Sequence, residues 1–275
     1  MNLFQVDAFS KRPFGGNPAA VCVLDRFPSD DWMLNFAGEM NLSETAYLHP
    51  IQDAEDTAYA LRWFTPGGEV DLCGHATVAT SHALWREGFL EESVDVLRFE
   101  TRSGDVFAHR EGVDGECTQI RLDFPSTPPE SVSPPSGLLE ALRTTAEYVG
   151  RSRFDYLVQV ANAETVRAMV PDFVALAEVE ARGVMVTAVS DSDEFDFVSR
   201  FFCPGLNINE DPVTGSAHCC LTPFWSERLG TTEMTAFQAS ARGGELAVRL
   251  VDDRVHLVGH ARTVFRGELA ISTGD

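Results

Sequence analysis

The fold of this chain is decided by two similar stretches of sequence, Asp71-Leu-Cys-Gly-His-Ala76 and Asp211-Pro-Val-Thr-Gly-Ser-Ala217. Each has an acidic residue, a glycine turn and a run of small residues that ends in a tryptophan, at Trp85 and at Trp225. The runs from Ala76 to Trp85 and from Gly215 to about Leu221 are predicted to be buried helices. The two spacings differ by one residue, but a repeat of this kind predicts two related domains.

Both glycine turns place a helix start where a small anion can bind. The first backbone N–H groups of a helix have no partner within the helix, and the helix dipole adds partial positive charge there. A carboxylate fits such a site without a cationic side chain, and glycine lets it approach the backbone closely. We therefore expect Gly74, Gly215 and Ser216 to bind a substrate carboxylate. The alternative is ordinary capping, with Thr214 or Ser216 as the N-cap residue.

A proline-rich segment divides the chain into halves of similar length. Residues 125–137 read PSTPPESVSPPSG, and the five prolines in this stretch exclude a helix and a central strand. We interpret the segment as an extended linker between an N-terminal domain, residues 1–126, and a C-terminal domain, residues 127–275, with chain ends that are free to pair across the halves. Leu138 to Tyr148, just after the linker, is predicted to be a helix.

The composition excludes several classes of partner. The net charge is −21, from 21 basic and 42 acidic residues, and such a surface repels nucleic acid and anionic membrane surfaces. We expect no membrane-spanning segment and no signal peptide, because the sequence has neither a long apolar run nor a basic start. The six cysteines form no C-x-x-C pair, so we expect free thiols, no thiolate zinc site and a cytoplasmic location.

Glu44 is the first candidate for a catalytic side chain. It lies in Asn41-Leu-Ser-Glu-Thr-Ala46, and the residues that follow, Thr45 to His49, alternate as in a buried strand. A glutamate that enters a buried strand suits general acid–base work. The alternative is a capping box, in which Asn41 and Glu44 would begin a helix.

His75 and Asp211 lie beside the two glycine turns and are further candidates. Imidazole is the commonest general acid or base near neutral pH. A lone histidine near a core helix can equally be a hydrogen-bonded structural residue. Asp211, which precedes Pro212, can equally be an N-cap residue with proline at the first helical position. The pattern alone leaves both interpretations open.

Taken together, these segments resemble the PhzF-like family, the phenazine-biosynthesis isomerases and their relatives. The matching segments follow the family order through both halves: Phe4-Gln-Val-Asp-Ala-Phe9, Gly16-Asn-Pro-Ala-Ala-Val21, Asn41-Leu-Ser-Glu-Thr-Ala46, Arg62-Trp-Phe-Thr-Pro66, Glu69-Val-Asp-Leu-Cys-Gly-His-Ala-Thr77 and Glu210-Asp-Pro-Val-Thr-Gly-Ser-Ala-His218. The resemblance implies the α+β fold of diaminopimelate epimerase. That fold has two similar domains, each a mostly antiparallel sheet around one central helix. The resemblance also implies an active site in the cleft between the domains, and a homodimer.

The resemblance also assigns roles. Glu44 matches the family's proton-shuttling glutamate, and His75 and Asp211 match the other polar residues of the cleft. Gly74 and Gly215-Ser216 match the helix starts that hold the substrate carboxylate. The implied activity is isomerisation of a small cyclic or amino acid-like carboxylate, without metal or cofactor. Glu44 would remove a proton from one carbon and return it to another on the same face.

Two other functions stay open. Related folds include racemases and epimerases with two opposed cysteine thiols, and Cys73 precedes Gly74 where one such thiol would lie. No cysteine precedes Gly215, which favours one-base isomerisation over inversion by two bases. An epimerase that uses Glu44 and Cys73 is the first alternative. The second is a non-catalytic protein that binds a small molecule in the same cleft.

Overall fold

The computed structural model describes residues 1–52 and 57–272, and the chain forms two compact units. The first unit is Met1–Asp123 with Val258–Asp275, and the second is Phe124–Leu257. The predicted boundary after residue 126 lies near this division, whereas the end of the chain packs in the first unit. The reason is strand pairing, because the last strand lies antiparallel to the first, from Asn2 opposite Glu268 to Ala8 opposite Ala261.

The first unit is a sheet with a helix on each face. Its elements are β1 (Asn2–Ala8), β2 (Asn17–Val23), α1 (Asp30–Met40), β3 (Glu44–Pro50), β4 (Ala58–Thr65), β5 (Gly68–Val70), α2 (Gly74–Arg86), β6 (Val96–Thr101), β7 (Gly104–Asp114) and β8 (Cys117–Pro125), whose last residues enter the second unit. The pairs β2–β3 and β4–β6 are parallel, and β1–β2, β3–β4, β4–β5, β6–β7 and β7–β8 are antiparallel. The sheet is therefore mostly antiparallel.

The start of β3 decides between the two interpretations of Glu44. Helix α1 begins at an N-cap serine, Ser29, whose hydroxyl accepts a hydrogen bond from the Trp32 backbone N–H at 3.3 Å. The helix ends at Asn41, which adopts a left-handed conformation with φ 50° and is the C-cap residue. Asn41 therefore does not begin a helix with Glu44. Glu44 instead opens the strand, as predicted.

The two faces of this sheet differ in what covers them. Tyr47 of β3 and Phe64 of β4 belong to the apolar cluster that packs against Met33 and Phe36 of α1. Side chains alternate along a strand, so Ala46, next to Tyr47, points to the opposite face of the sheet. Glu44 lies two residues before Ala46 and points to that same face. Helix α2, which is buried along almost its whole length, packs against β1, β2 and β3. The sequence therefore directs Glu44 away from α1 and towards the α2 side of the sheet.

The second unit is built in the same style. Its elements are β9 (Glu130–Ser131), α3 (Leu138–Leu142), β10 (Tyr148–Arg151), β11 (Asp155–Gln159), α4 (Ala163–Ala168), α5 (Phe173–Ala177), β12 (Gly183–Val189), β13 (Phe197–Cys203), a 3₁₀ turn (Pro204–Leu206), β14 (Ile208–Asp211), α6 (Gly215–Leu229), β15 (Glu233–Gln238), β16 (Gly244–Val251) and β17 (Arg254–Glu268), which continues into the first unit. β11 and β12 are parallel, and β10–β11, β12–β13, β13–β14 and β15–β16 are antiparallel. Each unit thus has the α+β organisation predicted for it.

Two local features of the second unit follow from single residues. Pro223 lies inside α6 and has no N–H to donate to the carbonyl of Cys219 one turn earlier. That carbonyl accepts a hydrogen bond from the Thr127 backbone N–H at 3.0 Å instead. The predicted helix from Leu138 to Tyr148 is shorter than expected. α3 ends because Arg143 adopts a left-handed conformation with φ 54°, and Tyr148 begins β10.

The two units repeat one arrangement of strands before their long helices. A parallel pair (β2–β3, β11–β12) is followed by an antiparallel pair (β3–β4, β12–β13) and by a hairpin (β4–β5, β13–β14) that leads to α2 or α6. The registers agree. Trp63 lies opposite Val70 and Phe201 lies opposite Asp211, and in each case the helix N-cap residue follows three positions later.

This register corrects the alignment of the repeat that the sequence predicts. Asp211 corresponds to Val70 and not to Asp71, because strand pairing sets the correspondence and the residue types do not. The spacing difference of one residue disappears with the correction. By the same register, Gly183 at the start of β12 is the counterpart of Glu44 at the start of β3.

Among the described residues, no helix combines the length and apolar character that crossing a membrane requires.

Candidate active site

Glu44 and His75 form the centre of the candidate site in the first unit. Glu44 is the first residue of β3, and His75 is the second residue of α2. Glu44 Oε2 lies 3.1 Å from His75 Nε2, and the two side chains are 16% and 6% exposed. The predicted base is therefore held against the predicted imidazole at the start of the helix that Gly74 begins.

Both atoms of this contact lack an ordinary hydrogen bond. Glu44 Oε2 and His75 Nε2 are at contact distance but outside the usual angular limits, so each is a buried polar atom without a hydrogen-bond partner among the described residues. Buried polar atoms in folded proteins are nearly always hydrogen-bonded, and exceptions occur at ligand-binding and catalytic sites. The pair is thus free to exchange protons or hydrogen bonds with a bound molecule.

The other edge of the His75 ring is fixed by two neighbours. Nδ1 lies 3.2 Å from Asn17 Nδ2 and 3.5 Å from Cys73 Sγ. Asn17 is fully buried, and Cys73 is 6% exposed. These contacts hold the ring so that Nε2 is the nitrogen that faces Glu44.

The electrostatics of the cluster favour a charged His75 and a neutral Cys73. Burial lowers the pKa of His75, but the sulfur of Cys73 and the carboxylate of Glu44 outweigh it, and the pKa of His75 lies well above 6.5. Burial, with the nearby Glu44 charge, raises the pKa of the Cys73 thiol to about 11. At neutral pH Cys73 is therefore a thiol, which leaves Glu44 as the acidic neighbour that raises the pKa of His75.

Asn17 reaches His75 because the preceding loop is held in place. The buried Asp7 carboxylate accepts a hydrogen bond from the Phe14 backbone N–H at 2.7 Å. Gly16 has φ +65°, and a Cβ atom there would collide with the backbone of Ala8. Only glycine fits this position, and the chain then enters β2 with Asn17 as its first residue.

The same cluster contains a possible set of metal ligands. One ligand atom each from Glu44, Cys73 and His75 lies within 4.8 Å of the others. A carboxylate, a thiolate and an imidazole suit zinc, but Cys73 would have to lose its proton against the effect of burial. The expectation that the protein works without metal stays a prediction.

The helix starts of α2 and α6 are not capped by their own N-cap residues. Neither Cys73 nor Thr214 makes a side-chain capping hydrogen bond. Thr214 Oγ1 donates a hydrogen bond to Asp211 Oδ2 at 2.5 Å instead. This arrangement disfavours the interpretation of Thr214 as an ordinary capping residue, and it leaves the first N–H groups of both helices to other partners.

In the second unit, a glutamine holds Asp211 and the start of α6 together. Gln238 Oε1 accepts from the Thr214 backbone N–H at 2.8 Å, and Gln238 Nε2 donates to the Asp211 carbonyl at 2.8 Å. Gln238 is fully buried on β15. Asp211 ends β14 and is therefore not an N-cap residue. The predicted site residue Asp211 and Thr214, the residue before Gly215, are thus held in one network.

Ser216 is accompanied by a cation, which the sequence analysis did not anticipate. Arg182 Nη2 donates a hydrogen bond to Ser216 Oγ at 2.9 Å, and Arg182 Nε donates to Asp155 Oδ1 at 2.9 Å. Asp155 is 2% exposed, and the rings of Phe154 and Phe201 lie 5.0 and 5.8 Å from the guanidinium carbon. The helix start of α6 therefore has the Arg182–Asp155 ion pair beside it, with the guanidinium in contact with Ser216.

The second unit has no counterpart of the Glu44 carboxylate. Gly183 occupies the corresponding position, and a Cβ atom there would collide with the ring of Phe201. Likewise Thr214 is the counterpart of Cys73 as N-cap residue. The repeat thus supplies a carboxylate base in the first unit only. At the corresponding position of the second unit, the ring of Phe201 packs against the backbone of Gly183.

The structure brings the predicted residues together in two sets. Glu44, Gly74 and His75 lie together in the first unit, and Asp211, Gly215 and Ser216 lie together in the second. That the two sets act on one substrate stays a prediction. Sequence reasoning missed Asn17, Arg182 and Gln238, which come from loops and strands far away along the chain. Only Asn17 carried a local signal, the Gly-Gly turn before it.

Comparison with known proteins adds to these observations. Residues 6–267 match the PhzC-PhzF family, described as phenazine biosynthesis-like protein. An uncharacterized isomerase of Halalkalibacterium halodurans is 48% identical over 270 residues, which cover 98% of each chain. The crystal structure of a phenazine biosynthesis protein of the PhzF family from Enterococcus faecalis is 41% identical, with a TM-score of 0.89 and coverage of 98% of this chain and 99% of that chain.

A more distant structure extends the likeness of fold. The crystal structure of a probable proline racemase from Agrobacterium radiobacter K84 is 14% identical, with a TM-score of 0.68, and covers 99% of this chain and 95% of that chain. It shares the fold alone. Together the comparisons confirm the predicted family and the epimerase-like α+β fold, and the names of the relatives support an isomerase or epimerase activity.

Proposed function

Because this chain belongs to the PhzC-PhzF family of phenazine biosynthesis-like proteins, we propose that it is an isomerase that moves a proton on a small carboxylate-bearing substrate, with Glu44 as its single base. The observation that carries the proposal is the buried contact of 3.1 Å between Glu44 Oε2 and His75 Nε2, in which neither atom has an ordinary hydrogen bond. The proposed substrate is a cyclic or amino acid-like carboxylate, for example a dihydro-hydroxyanthranilate.

The chemistry is a proton transfer in two steps without oxidation or reduction. The ionised Glu44 takes a proton from a substrate carbon, and the C–H electron pair moves into the adjacent unsaturated system. The protonated Glu44 then gives the proton to another carbon of that system on the same face, and the double bond shifts. A positioned acid–base group of this kind contributes roughly 10²- to 10⁴-fold to the rate.

The neighbours of Glu44 have supporting roles. His75, whose pKa is raised, can donate a hydrogen bond from Nε2 to the negative charge that develops on the substrate. We assign to Asp211 the role of orienting the substrate. Gly74, Gly215 and Ser216, at the starts of α2 and α6, hold the substrate carboxylate.

The comparison of the two units supports a single base. Inversion at one carbon needs bases on opposite faces, whereas movement of a proton along one face needs only one. The position of Glu44 is taken by Gly183 in the second unit, and the position of Cys73 is taken by Thr214. The repeat therefore offers no opposed copy of either group among the described residues.

We extend the proposal to location and assembly. All six cysteines are buried and free, which suits the reducing cytoplasm. A homodimer is the assembly that the family resemblance implies, and sedimentation analysis of the purified protein will measure it. Neither nucleic acid nor a membrane is proposed as a partner, because the net charge of −21 opposes both.

The test of the proposed function is deuterium uptake from D₂O into a panel of unsaturated and amino carboxylates that includes 2,3-dihydro-3-hydroxyanthranilate. We expect a shifted double bond, seen by NMR, and deuterium at the carbon that gains the proton in those turnovers in which the protonated Glu44 exchanges with solvent, seen by mass spectrometry. Deuterium at an α-carbon of inverted configuration would instead indicate an epimerase. A panel in which no compound gains deuterium and no double bond shifts would indicate a binding protein without catalysis.

An epimerase that uses Glu44 and Cys73 is the second candidate, because Cys73 belongs to the same buried cluster. Its thiol has a pKa of about 11 owing to burial, which makes it a poor base at neutral pH. We therefore predict that Cys73→Ala keeps turnover within about threefold of the wild-type value. The measurement is the rate of deuterium uptake on the labelled compound, and a loss of 10²-fold or more would favour the epimerase.

A further inference from the structure

Trp63 is the one tryptophan whose indole N–H lacks a hydrogen-bond partner among the described residues. Trp63 on β4 is 1% exposed, and its Nε1 is a buried polar atom without a partner. The chain has four tryptophans. The other three indole N–H groups donate hydrogen bonds: Trp32 to the Ser272 carbonyl at 3.1 Å, Trp85 to the Val94 carbonyl at 2.9 Å and Trp225 to the Thr187 hydroxyl at 3.0 Å. A buried indole N–H usually finds a partner, so the exception indicates a position that a ligand atom fills.

Strand register places Trp63 beside Glu44. Trp63 lies directly opposite Ala46 of β3, so both point to the same face of the sheet. Glu44 is two residues before Ala46 and shares that face. Trp63 is therefore the diagonal neighbour of Glu44, a separation that aromatic side chains bridge.

The second unit shows that an aromatic ring at this register reaches the position of Glu44. Phe201 is the counterpart of Trp63, and its ring lies over Gly183, the counterpart of Glu44. Phe201 is 4% exposed and has no polar atom in its side chain. Both units thus have an aromatic ring at this position, but the ring in the second unit carries no N–H group. The N–H of Trp63 occurs only in the unit that has the base.

Trp63 also lies close to the predicted carboxylate site along the chain. It pairs with Val70, and only two residues separate Val70 from Cys73, the N-cap residue of α2. Trp63 is therefore linked to the start of α2 by one strand pair and three residues, and the indole and the helix start each offer N–H groups. Both are donors, and a carboxylate has two oxygens that accept several hydrogen bonds.

We propose that the Trp63 indole N–H donates a hydrogen bond to the carboxylate of the substrate and so positions the substrate beside Glu44. This inference rests on the proposed function, because it presumes a carboxylate-bearing substrate at Glu44. The role is one of binding and specificity. Trp63 selects ligands with an acceptor oxygen at this point and discriminates against analogues that lack it.

Indole NMR tests the contact directly. In protein labelled with ¹⁵N at the indole nitrogen, the Trp63 proton should resonate upfield of the three hydrogen-bonded indole protons. Titration with 3-hydroxyanthranilate, a stable amino carboxylate, should move the Trp63 signal downfield and leave the other three in place. Titration with 2-aminophenol, which lacks the carboxylate, should not produce this shift.

Substitution gives the matched measurement of affinity. Trp63→Phe removes the N–H and should weaken 3-hydroxyanthranilate binding by about 10- to 100-fold, the usual effect of a hydrogen bond to a charged group. Trp85→Phe is the control, because it removes an indole hydrogen bond at the other end of α2 and should leave binding unchanged. Benzothienylalanine at position 63 keeps the ring size and should behave as Trp63→Phe does.

The possible outcomes separate this inference from the proposed function. If the backbone amides of Glu44 and His75 respond to 3-hydroxyanthranilate while Trp63 does not, the inference is overturned and the proposed function stands. If 2-aminophenol shifts Trp63 as strongly, the carboxylate is not the acceptor and the inference is overturned. If neither Trp63 nor these amides responds to any carboxylate of the panel, both the proposed function and the inference are overturned.

Discussion

Glu44 and His75 form a buried acid–base pair in which the charge of His75 depends on Glu44. Burial alone would favour a neutral imidazole, but Glu44 Oε2 lies 3.1 Å from Nε2, and the carboxylate favours the imidazolium. Cys73, on the other edge of the ring, is a protonated thiol at neutral pH, because burial raises its pKa to about 11. The site therefore combines an imidazole whose pKa is raised by its acidic neighbours with a neutral thiol.

The first prediction concerns the charge of His75. Its pKa should lie well above 6.5 in the wild-type protein, and Glu44→Gln should lower it, because the substitution removes the negative charge and keeps the burial. The measurement is a titration of the labelled imidazole by NMR. Glu39→Gln, at an exposed position on α1, is the control and should leave the titration unchanged. A wild-type His75 that titrates at or below pH 6.5 would contradict this account.

The hairpins that lead to α2 and α6 are each fixed by a two-pronged ion pair. Arg62 Nε and Nη2 donate to the two oxygens of Glu69, both at 2.7 Å, and Arg200 Nε and Nη2 donate to Glu210 at 2.7 and 2.8 Å. Glu69 is 11% exposed and also accepts from Arg102 at 2.6 Å. These pairs hold β4 against β5 and β13 against β14, and so fix where each long helix begins.

Loss of the Glu69 charge should destabilise the first unit. Glu69→Gln should lower the free energy of unfolding by about 2 kcal/mol, because two arginines lose a charged partner in a largely buried position. The measurement is urea denaturation. Glu233→Gln is the matched control, since its pair with Arg249 is exposed, and it should cost less than about 1 kcal/mol. Equal effects of the two substitutions would show that the hairpin pair has no special role.

The elements also show what sequence could and could not predict. The strand after Glu44 and the helices after Gly74 and Gly215 were predicted correctly, because alternation and glycine turns are local signals. The alignment of Asp211 with Asp71 in the internal repeat was wrong, because strand register makes Val70 the counterpart of Asp211. The contacts of Arg182 and Gln238 were not predicted, because their partners are 34 and 24 residues away along the chain and only the fold brings them together.

Both units bury a neutral histidine on the central helix. His218 of α6 has a pKa of about 4, because burial outweighs its contact with the Thr214 carbonyl. His82 of α2 has a pKa of about 3, because of burial and the nearby Arg86, Arg266 and Arg262. In the unfolded chain both would titrate near 6.5, so acid favours the unfolded state. The pKa shift of His75 has the opposite sign. Because its pKa is raised in the folded protein, His75 stabilises the fold below pH 6.5, and this contribution is lost as pH rises through the folded pKa.

The folded chain should therefore lose stability as pH falls from 6.5 towards 4. A single histidine with a pKa of 6.5 when unfolded and about 4 when folded accounts for about 3 kcal/mol over that range. His218→Gln should show a correspondingly smaller loss between pH 6.5 and 4. The measurement is urea denaturation of both proteins at several pH values. Parallel curves for the two proteins would show that His218 is not held neutral.

The most direct test of the account is the rate at which Glu44→Gln incorporates deuterium from D₂O into the carboxylate that the wild-type protein labels fastest. Glutamine keeps the size and hydrogen-bonding capacity of the side chain but cannot take a proton from carbon. The variant should fold normally, bind 3-hydroxyanthranilate, and label the compound at least about 10²-fold more slowly. A folded Glu44→Gln protein that labels it at the wild-type rate would contradict the assignment of Glu44 as the base.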